Sequence, residues 1–279
     1  MSFGWLIIVR KNYVASKQIY DDRANIISKV PHFWALVFEE APEDIDCRIQ
    51  PRDTAVLSTL KAFQITRFEV IGSDEGEPRS VKFTFTFDKN DWFHDEVLEK
   101  TFWYRTSKDG WTGLVSEPVK IQWKEGMDLT DGLLDMAVGV WADETQGSAK
   151  SPAQDTLVET MDNTSMDAIS LFAWFGYRGR KVSAQESSEA VREEEEKKVK
   201  GGPGGPLDDD EEENDEGEPD LSSVIEKTIA TEEDPNDGEL SYEIFPRGEE
   251  LAIALSDDLY PGAIKYFSKL STPPFRLSS

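Results

Sequence analysis

Cysteine and histidine are scarce in this chain of 279 residues, which has the single cysteine Cys47 and two histidines, His32 and His94. One cysteine excludes an intramolecular disulfide framework and fits a reducing compartment. Two histidines far apart in sequence do not indicate a zinc cluster, a Cys–His pair or a Ser–His–Asp triad. A glycine-rich phosphate-binding loop is also lacking. These shortages argue against an enzyme and against a bound metal or other cofactor.

Basic residues are in short supply as well. Lysine and arginine number 30 against 56 aspartates and glutamates, so the net charge is −26. Such a chain is repelled by nucleic acid and by anionic membrane surfaces, and it attracts basic proteins. The apolar run Phe3–Val9 is too short to span a bilayer, and no basic residue precedes it as in a secretory signal. We therefore expect a basic protein partner, without sequence-specific nucleic-acid binding and without membrane association.

The stretch Ser80–Tyr104 predicts the hairpin around which the fold is organised. Apolar and polar residues alternate along Val81–Phe87, which places three phenylalanine rings on one face of a strand. Such a face needs a broad apolar partner, which a lone hairpin cannot supply. Val97–Tyr104 predicts the second strand. Gln64–Ile71 and Val119–Trp123 complete a predicted antiparallel sheet of about four strands, and Ser107–Gly113 is predicted to be a loop.

Helical periodicity precedes the predicted sheet. Apolar residues recur at three- and four-residue intervals from Lys17 to Lys29, and Pro31–Glu40 predicts a buried helix. Arg52–Ala62 predicts another helix, with Asp53 as its N-cap. Helices followed by antiparallel strands define the fold class as α+β. Residues 1–15 match neither pattern and are expected to form a poorly ordered arm, in which Leu6–Val9 is either a short strand or an unpaired apolar segment.

An acidic segment interrupts the second half of the chain. Between Arg192 and Glu239 there are 20 acidic and 5 basic residues, a net charge of −15. Like charges repel there, so we expect residues 183–240 to be a mostly disordered insertion. Residues 16–182 would form the first part of the domain. Residues 241–271 would return to it as a strand at Tyr242–Phe245 and a helix from Pro261, and residues 272–279 would form a tail.

Five motifs occur in an order that resembles the nucleosome assembly protein family, and its SET-like branch most. They are Ile19–Trp34, Phe85–Lys100, Ile121–Thr130, Ser170–Arg180 and Asp257–Phe267. The resemblance covers roughly residues 19–270. It implies an earmuff-shaped α+β domain on a long dimerisation helix, and histone-chaperone activity without catalysis. It also implies core histones as partners and a nuclear location, with shuttling to the cytoplasm left open.

Two features depart from that family. The family's long dimerisation helix precedes the motif at Val30–Trp34, and the predicted helix Lys17–Lys29 spans only about 20 Å at 1.5 Å per residue. We therefore expect a monomer, or a weak dimer that dissociates in the micromolar range, in place of the family's homodimer. Its candidate dimerisation residues are Ile19, Ile26, Ile27 and Val30. The acidic run, which is a C-terminal tail in the family, lies here inside the domain.

Histone binding by charge attraction predicts two groups of carboxylates as contacts. The folded candidates are Asp88, Asp91, Asp95, Glu96, Glu99, Glu125, Asp128, Asp131 and Asp135. The candidates in the acidic insertion are Asp208, Asp209, Asp210, Glu211, Glu212, Glu213, Asp215, Glu216, Glu218 and Asp220. Each of these side chains is also compatible with an ordinary solvated surface position.

Two other functions fit parts of the sequence. An acidic scaffold or inhibitor of a histone-modifying enzyme or a phosphatase is compatible with the SET-like resemblance. A metal-dependent hydrolase built on an acidic cluster is disfavoured, because the carboxylates are concentrated in a low-complexity run where no rigid site could hold them. The sequence distinguishes neither the preferred histone pair nor an enzyme partner.

Overall fold

The computed structural model describes residues 3–70, 76–147, 152–165, 168–200 and 243–270. The predicted α+β fold is confirmed: four antiparallel strands form one sheet in the order β1-β2-β3-β4. The strands are β1 (Leu60–Thr66), β2 (Val81–Phe87), β3 (Val97–Thr106) and β4 (Thr112–Ser116). Helices cover the apolar face of the sheet, and the core lies between them.

The aromatic face predicted for β2 is the centre of that core. Residues of β2 alternate between buried and half-buried along the whole strand, and Phe83 has no exposed surface. The ring centroid of Phe85 lies 4.7 Å from that of Phe63 on β1. On the other side of the core, in the layer that covers this face, the ring centroid of Trp174 lies 5.1 Å from that of Phe83. Trp174 belongs to a short 3-10 helix, Leu171–Gly176, which supplies the broad apolar partner that the sheet needs.

One predicted strand and one predicted loop were wrong. Val119–Trp123 is not a strand, since it pairs with the sheet hairpin only through an isolated bridge between Trp123 and Phe93. The fourth strand is β4, which begins inside the predicted loop Ser107–Gly113. A tight turn brings β4 back along β3: the Ser107 amide donates to the Trp111 carbonyl at 2.9 Å, and Gly110 takes a positive φ of 89°. Strand β1 ends before the predicted Ile71, because a 3-10 turn, Phe68–Val70, follows it.

The N-terminal helix is longer than predicted. Helix α1 (Phe3–Ile27) has 25 residues, so residues 3–15 contribute its first half in place of the expected arm. Its length is about 37 Å at 1.5 Å per residue, and the predicted 20 Å was too short. The helix faces the domain with residues that recur at alternating intervals of four and three. These are Val9, Tyr13, Ser16, Tyr20, Arg23 and Ile27.

Three short helices connect α1 to the sheet: α2 (Phe33–Glu39), α3 (Glu43–Asp46) and α4 (Pro51–Leu57). The predicted helix Arg52–Ala62 ends early because β1 begins at Leu60. Asp53 lies within the first turn of α4 and is not the N-cap: its carboxylate accepts the amide of Gln50 at 2.9 Å. The same carboxylate accepts the hydroxyl of Ser170 at 2.6 Å, which ties α4 to the aromatic 3-10 helix.

The C-terminal half adds five helices to the described parts of the chain. They are α5 (Leu133–Thr145), α6 (Pro152–Asp162), α7 (Ala184–Lys200), α8 (Gly248–Ala254) and α9 (Ala263–Leu270), with a π-helical turn at Leu255–Leu259 between the last two.

The predicted insertion and the predicted strand after it both differ from the structure. Helix α7 occupies the start of the insertion, and its Ser187 hydroxyl accepts the Thr106 amide of β3 at 2.9 Å. Residues 201–242 lie outside the described part of the chain. Tyr242–Phe245 was predicted to be a strand, and Tyr242 lies outside the described residues. Glu243–Phe245 is not a strand, but Ile244 and Phe245 are buried in the core. Ile244 and Phe245 therefore belong to the same core as the sheet.

Candidate functional site

Backbone hydrogen bonds join the β2–β3 loop to the segment that follows β4. The His94 amide donates to the Gln122 carbonyl at 2.9 Å, and the Lys124 amide donates to the Trp92 carbonyl at 2.8 Å. The two runs of candidate carboxylates, one from Asp88 to Glu99 and the other from Glu125 to Asp135, flank this junction. We call their side chains together the acidic face.

Buried aromatic rings hold the acidic face in place. Phe93 is 2% exposed, and its ring centroid lies 5.1 Å from that of Phe87 and 5.7 Å from that of Trp123. The side-chain oxygen of Asn90 accepts the amides of Trp92 and Phe93, both at 3.0 Å, and so fixes the turn. The loop that carries the carboxylates is therefore anchored to the core and has one defined shape.

Seven of the nine folded candidates are exposed, and four of those form surface ion pairs. The pairs are Asp88–Lys61 at 3.6 Å, Glu99–Lys82 at 3.1 Å, Asp131–Arg52 at 2.9 Å and Asp135–Lys120 at 3.3 Å. Surface pairs of this kind contribute little and exchange readily. Asp91, Glu96 and Glu125 form no ion pair with any residue in the described ranges. Among the exposed carboxylates of the face, these three are the ones without a compensating cation in the described ranges.

Asp95 and Asp128 are half-buried and engaged within the chain. One oxygen of Asp95 accepts the Gln122 amide at 2.7 Å. The Asp128 carboxylate accepts the Thr130 amide and hydroxyl, each at 2.7 Å, and the Gly132 amide at 2.9 Å. These bonds build the turn before α5, in which Asp131 has a φ of 53°. Asp95 and Asp128 therefore position the face and are poorly placed to bind a partner directly.

Helices α5 and α6 carry acidic residues that were not among the candidates predicted from the sequence. Between them they contain six carboxylates and no lysine or arginine. Besides Asp135, these are Asp143, Glu144, Asp155, Glu159 and Asp162. The sequence does contain a signal for this acidic surface, because Lys150 is the only basic residue between Lys124 and Arg178. Glu144 is held at 2.6 Å by Arg178, whereas Asp155, Glu159 and Asp162 extend the exposed acidic surface.

A buried lysine connects the sheet to the chain that leaves the aromatic 3-10 helix. The Lys100 ammonium has no exposed surface and donates to the carbonyls of Glu117, Phe175 and Tyr177 at 2.6, 2.9 and 2.7 Å. Burial lowers the pKa of Lys100 well below its ordinary value, and attraction to Glu243 opposes that shift. Burial raises the pKa of Glu243, whose carboxylate accepts the Arg178 amide at 2.9 Å. The pair holds the sheet against the segment that follows the 3-10 helix.

The four candidate dimerisation residues do not share one surface. Ile19 and Ile26 are 67% and 66% exposed on α1. Ile27 is 6% exposed and belongs to the core, and Val30 packs against the core. The assignment of Ile27 and Val30 to a dimer contact was therefore wrong, because the same helix must use one side to hold the domain. The candidates in the insertion, Asp208–Asp220, lie outside the described residues.

The described residues contain no group of three side chains suited to hold a metal ion and no helix long and apolar enough to cross a membrane. What they define is an acidic α+β domain, with a rigid carboxylate face and a long N-terminal helix. The family model of the nucleosome assembly proteins (NAP) matches residues 10–270. The chain therefore belongs to the nucleosome assembly protein family.

Individual relatives match a smaller part of the chain. A Schizosaccharomyces pombe protein described as a putative nucleosome assembly protein is 30% identical over 132 residues, which cover 44% of this chain and 52% of that one. Protein SET of Drosophila melanogaster is 29% identical over 127 residues, or 44% of each chain. This chain thus spans about half the length of these curated relatives.

Among solved structures, the Vps75 histone chaperone matches with a TM-score of 0.54. The match covers 95% of this chain and 89% of that chain, at 17% sequence identity. At this identity the likeness establishes the fold alone, and it confirms the predicted family fold.

Proposed function

We propose that this chain is a histone chaperone that binds core histones through the acidic face and through its acidic insertion, in the nucleus. The observation that supports the proposal is the rigid placement of Asp91, Glu96 and Glu125 on loops anchored by Phe93 and Trp123. Fixed carboxylates complement a basic protein surface without first losing conformational entropy, which is the condition for specific recognition.

The insertion and the face have different roles in this proposal. Asp208–Asp220 contributes charge in a run of acidic residues, which raises the rate of encounter with a basic partner. The acidic face, together with the exposed carboxylates of α6, selects the orientation in which the histone binds. An acidic protein that covers the basic surface of a histone prevents its non-specific adhesion to DNA. Family membership and the name of the Vps75 neighbour agree with this activity.

The test neutralises the three uncompensated carboxylates in one variant, Asp91→Asn, Glu96→Gln and Glu125→Gln. A matched control, Glu39→Gln, Glu43→Gln and Asp46→Asn, removes the same charge from exposed positions on α2 and α3. Both are titrated with the two kinds of core-histone complex, the dimeric and the tetrameric, across a salt series. We expect the first variant to bind at least about tenfold more weakly at 150 mM salt, equivalent to about 1.4 kcal/mol, and the control to change by less than about threefold. Equal losses in the two variants would show that only net charge matters and would overturn the role of the face.

A further inference from the structure

A cleft of about 490 Å³ lies between the first half of α1 and the sheet. We call it the tyrosine cleft, because Tyr13 and Tyr20 of α1 line it together with Tyr104 of β3. The domain-facing residues of α1 at this level, from Val9 to Tyr20, are only half-buried, whereas Ile27 near the end of the helix is 6% exposed. The helix therefore leaves an open space between itself and the sheet.

Apolar side chains form much of the remaining wall. Val81 of β2 and Leu114 of β4 contribute buried side chains, and Ile253 of α8 is 46% exposed beside the cleft. The volume lies within the range of about 300–1,000 Å³ that is usual for ligand sites, which are mostly apolar with a few polar groups. The tyrosine cleft therefore has the size and the lining of a binding site for an apolar group.

The two arginines that line the tyrosine cleft are neutralised within the domain. Arg67 pairs with Asp257 at 2.9 Å. Arg79 pairs with Glu77 at 2.6 Å, and its guanidinium lies 3.5 Å from the centroid of the Tyr104 ring. Neither arginine is free to bind an anion, so the cleft does not attract an acidic ligand.

Glu249 of α8 lines the tyrosine cleft and has no cation partner in the described ranges. Its oxygen Oε1 accepts the Leu114 amide at 2.9 Å, and its Oε2 accepts no hydrogen bond from a described residue. Burial raises the pKa of Glu249, and repulsion from Glu250 raises it further. The half-buried charge of Glu249 is therefore the group in the cleft that a cation on a ligand would stabilise.

The geometry at Glu249 favours an ammonium group over a guanidinium. A guanidinium binds a carboxylate best through two parallel hydrogen bonds, one to each oxygen. The Leu114 amide already occupies Oε1 and hinders such two-point pairing, whereas an ammonium group needs only Oε2. The apolar stem of a lysine side chain also packs well on tyrosine rings and on Ile253. The cleft therefore fits lysine better than arginine.

We propose that the tyrosine cleft is a docking site for a lysine of a basic partner protein, in a segment where apolar residues flank that lysine, and that Glu249 binds its ammonium group. The net charge of −26 attracts such a partner. The partner need not be a histone, so the failure of this proposal and the failure of the proposed function are distinguishable.

The experiment measures the binding of short fluorescent peptides to the full chain. The first peptide has the sequence Ala-Leu-Lys-Leu-Ala with blocked ends, and two others replace its lysine with arginine or with the uncharged isostere norleucine. Salt at about 300 mM screens the attraction of the acidic insertion for any cation. We expect the lysine peptide to bind at least about threefold more tightly than the arginine peptide and at least about tenfold more tightly than the norleucine peptide.

Glu249→Gln tests the carboxylate, since it keeps an oxygen for the Leu114 amide and removes the charge. In this variant the lysine peptide should lose at least about tenfold in affinity, and the lysine and norleucine peptides should bind within about threefold of each other. The control Glu39→Gln removes the same charge from an exposed position on α2. It should leave the binding of the lysine peptide within about twofold.

Ile253→Gln tests the apolar wall. It should weaken the lysine and norleucine peptides alike, by about threefold or more, because both use the same apolar contact. The matched control is Ile264→Gln, since Ile264 is 52% exposed on α9 and does not line the cleft. This control should leave both peptides within about twofold of their affinity for the unsubstituted chain.

The proposal is overturned if the lysine peptide shows no binding up to about 1 mM, or if Glu39→Gln loses as much affinity as Glu249→Gln. Norleucine and lysine peptides that bind the unsubstituted chain equally would show that a purely apolar ligand is the occupant instead. An arginine peptide that binds as tightly as the lysine peptide would overturn the preference for an ammonium group.

Discussion

Phe85 is the side chain that most directly tests the aromatic core. It is 5% exposed and lies 4.7 Å from Phe63 and 5.7 Å from Phe175, measured between ring centroids. Phe85→Ala should lower the free energy of unfolding by about 3–5 kcal/mol, because it leaves a cavity between the sheet and the 3-10 helix. Thr86→Ala, on the other face of the same strand, should cost less than about 1 kcal/mol. Urea denaturation of both variants is the measurement, and a loss below about 1 kcal/mol for Phe85→Ala would contradict the core assignment.

Lys100 is a second residue whose contribution follows from its contacts. Lys100→Met keeps the length and the apolar stem of the side chain, but it removes a donor from the carbonyls of Glu117, Phe175 and Tyr177, of which Phe175 keeps the Val119 amide. It also leaves Glu243 without a nearby cation. We expect a loss of about 3–5 kcal/mol in the free energy of unfolding, as when one partner of a buried pair is removed. Lys82→Met, at a partly exposed position on β2, is the matched control and should change stability by less than about 1 kcal/mol. Similar costs for the two substitutions would show that burial of the Lys100 charge is not what matters.

Elements whose apolar residues repeat regularly were predictable from the sequence. Elements whose position depends on contacts with distant segments were not. The alternation in Val81–Phe87 identified β2 because its aromatic face is buried along the whole strand. Strand β4 has no such alternation: it forms because β3 offers a free edge and a tight turn reaches it. Val119–Trp123 has strand-like residues, but the edge of the sheet there is occupied, since the Ser116 amide donates to the Arg178 carbonyl at 2.7 Å.

The helical pattern of α1 is visible only when its whole length is considered. The run Leu6–Val9, in which Ile7, Ile8 and Val9 are β-branched, favours a strand when taken alone. Over the whole helix, however, the domain-facing positions from Val9 to Ile27 alternate by four and three, which is a helical spacing. The acidic face was predictable residue by residue. That its two runs of carboxylates lie side by side could not be predicted, because the junction between Trp92 and Lys124 depends on backbone hydrogen bonds between distant segments.

The exposed side of α1 carries a second seam with the same spacing, shifted by one residue. It consists of Ile8, Asn12, Ala15, Ile19, Asp22 and Ile26, all exposed. The seam is symmetric about Lys17, so in an antiparallel pair Ile8 faces Ile26 and Ala15 faces Ile19 of the second copy. Apolar positions at this spacing favour coiled-coil packing. We therefore propose that the chain dimerises through α1. The expectation of a monomer or weak dimer depended on a helix half as long.

A polar substitution in this seam provides the test. Ile19→Asp should weaken the dimer by at least about tenfold in Kd, or about 1.4 kcal/mol, because it buries two carboxylates at the centre of the contact. Val14→Asp is the control, since Val14 is 61% exposed but lies on a different side of α1. Sedimentation equilibrium across nanomolar to micromolar concentrations measures both. A monomer at all these concentrations before any substitution would reject the seam.

At the scale of the whole molecule, charge is distributed unevenly. A net of −15 lies between Arg192 and Glu239 out of −26 in all, and the acidic face and α6 carry much of the remainder. Such an arrangement separates two tasks: long-range attraction depends on the amount of charge, whereas orientation depends on the few charges that the core holds in place.

This separation predicts different kinetic effects for the two groups of carboxylates. Neutralising the ten carboxylates from Asp208 to Asp220 to asparagine and glutamine keeps the chain length and removes the attraction. At low salt, histone association should slow by about tenfold, while dissociation changes by less than about threefold, because a steering charge acts before contact is made. The variant of Asp91, Glu96 and Glu125 should instead raise mainly the dissociation rate, since those groups form the contact itself. Stopped-flow measurements at 50 and 300 mM salt compare the variants, and the difference in association rate should shrink at the higher salt as the Debye length falls to about 6 Å. An unchanged association rate at low salt after neutralisation of the insertion would exclude its steering role.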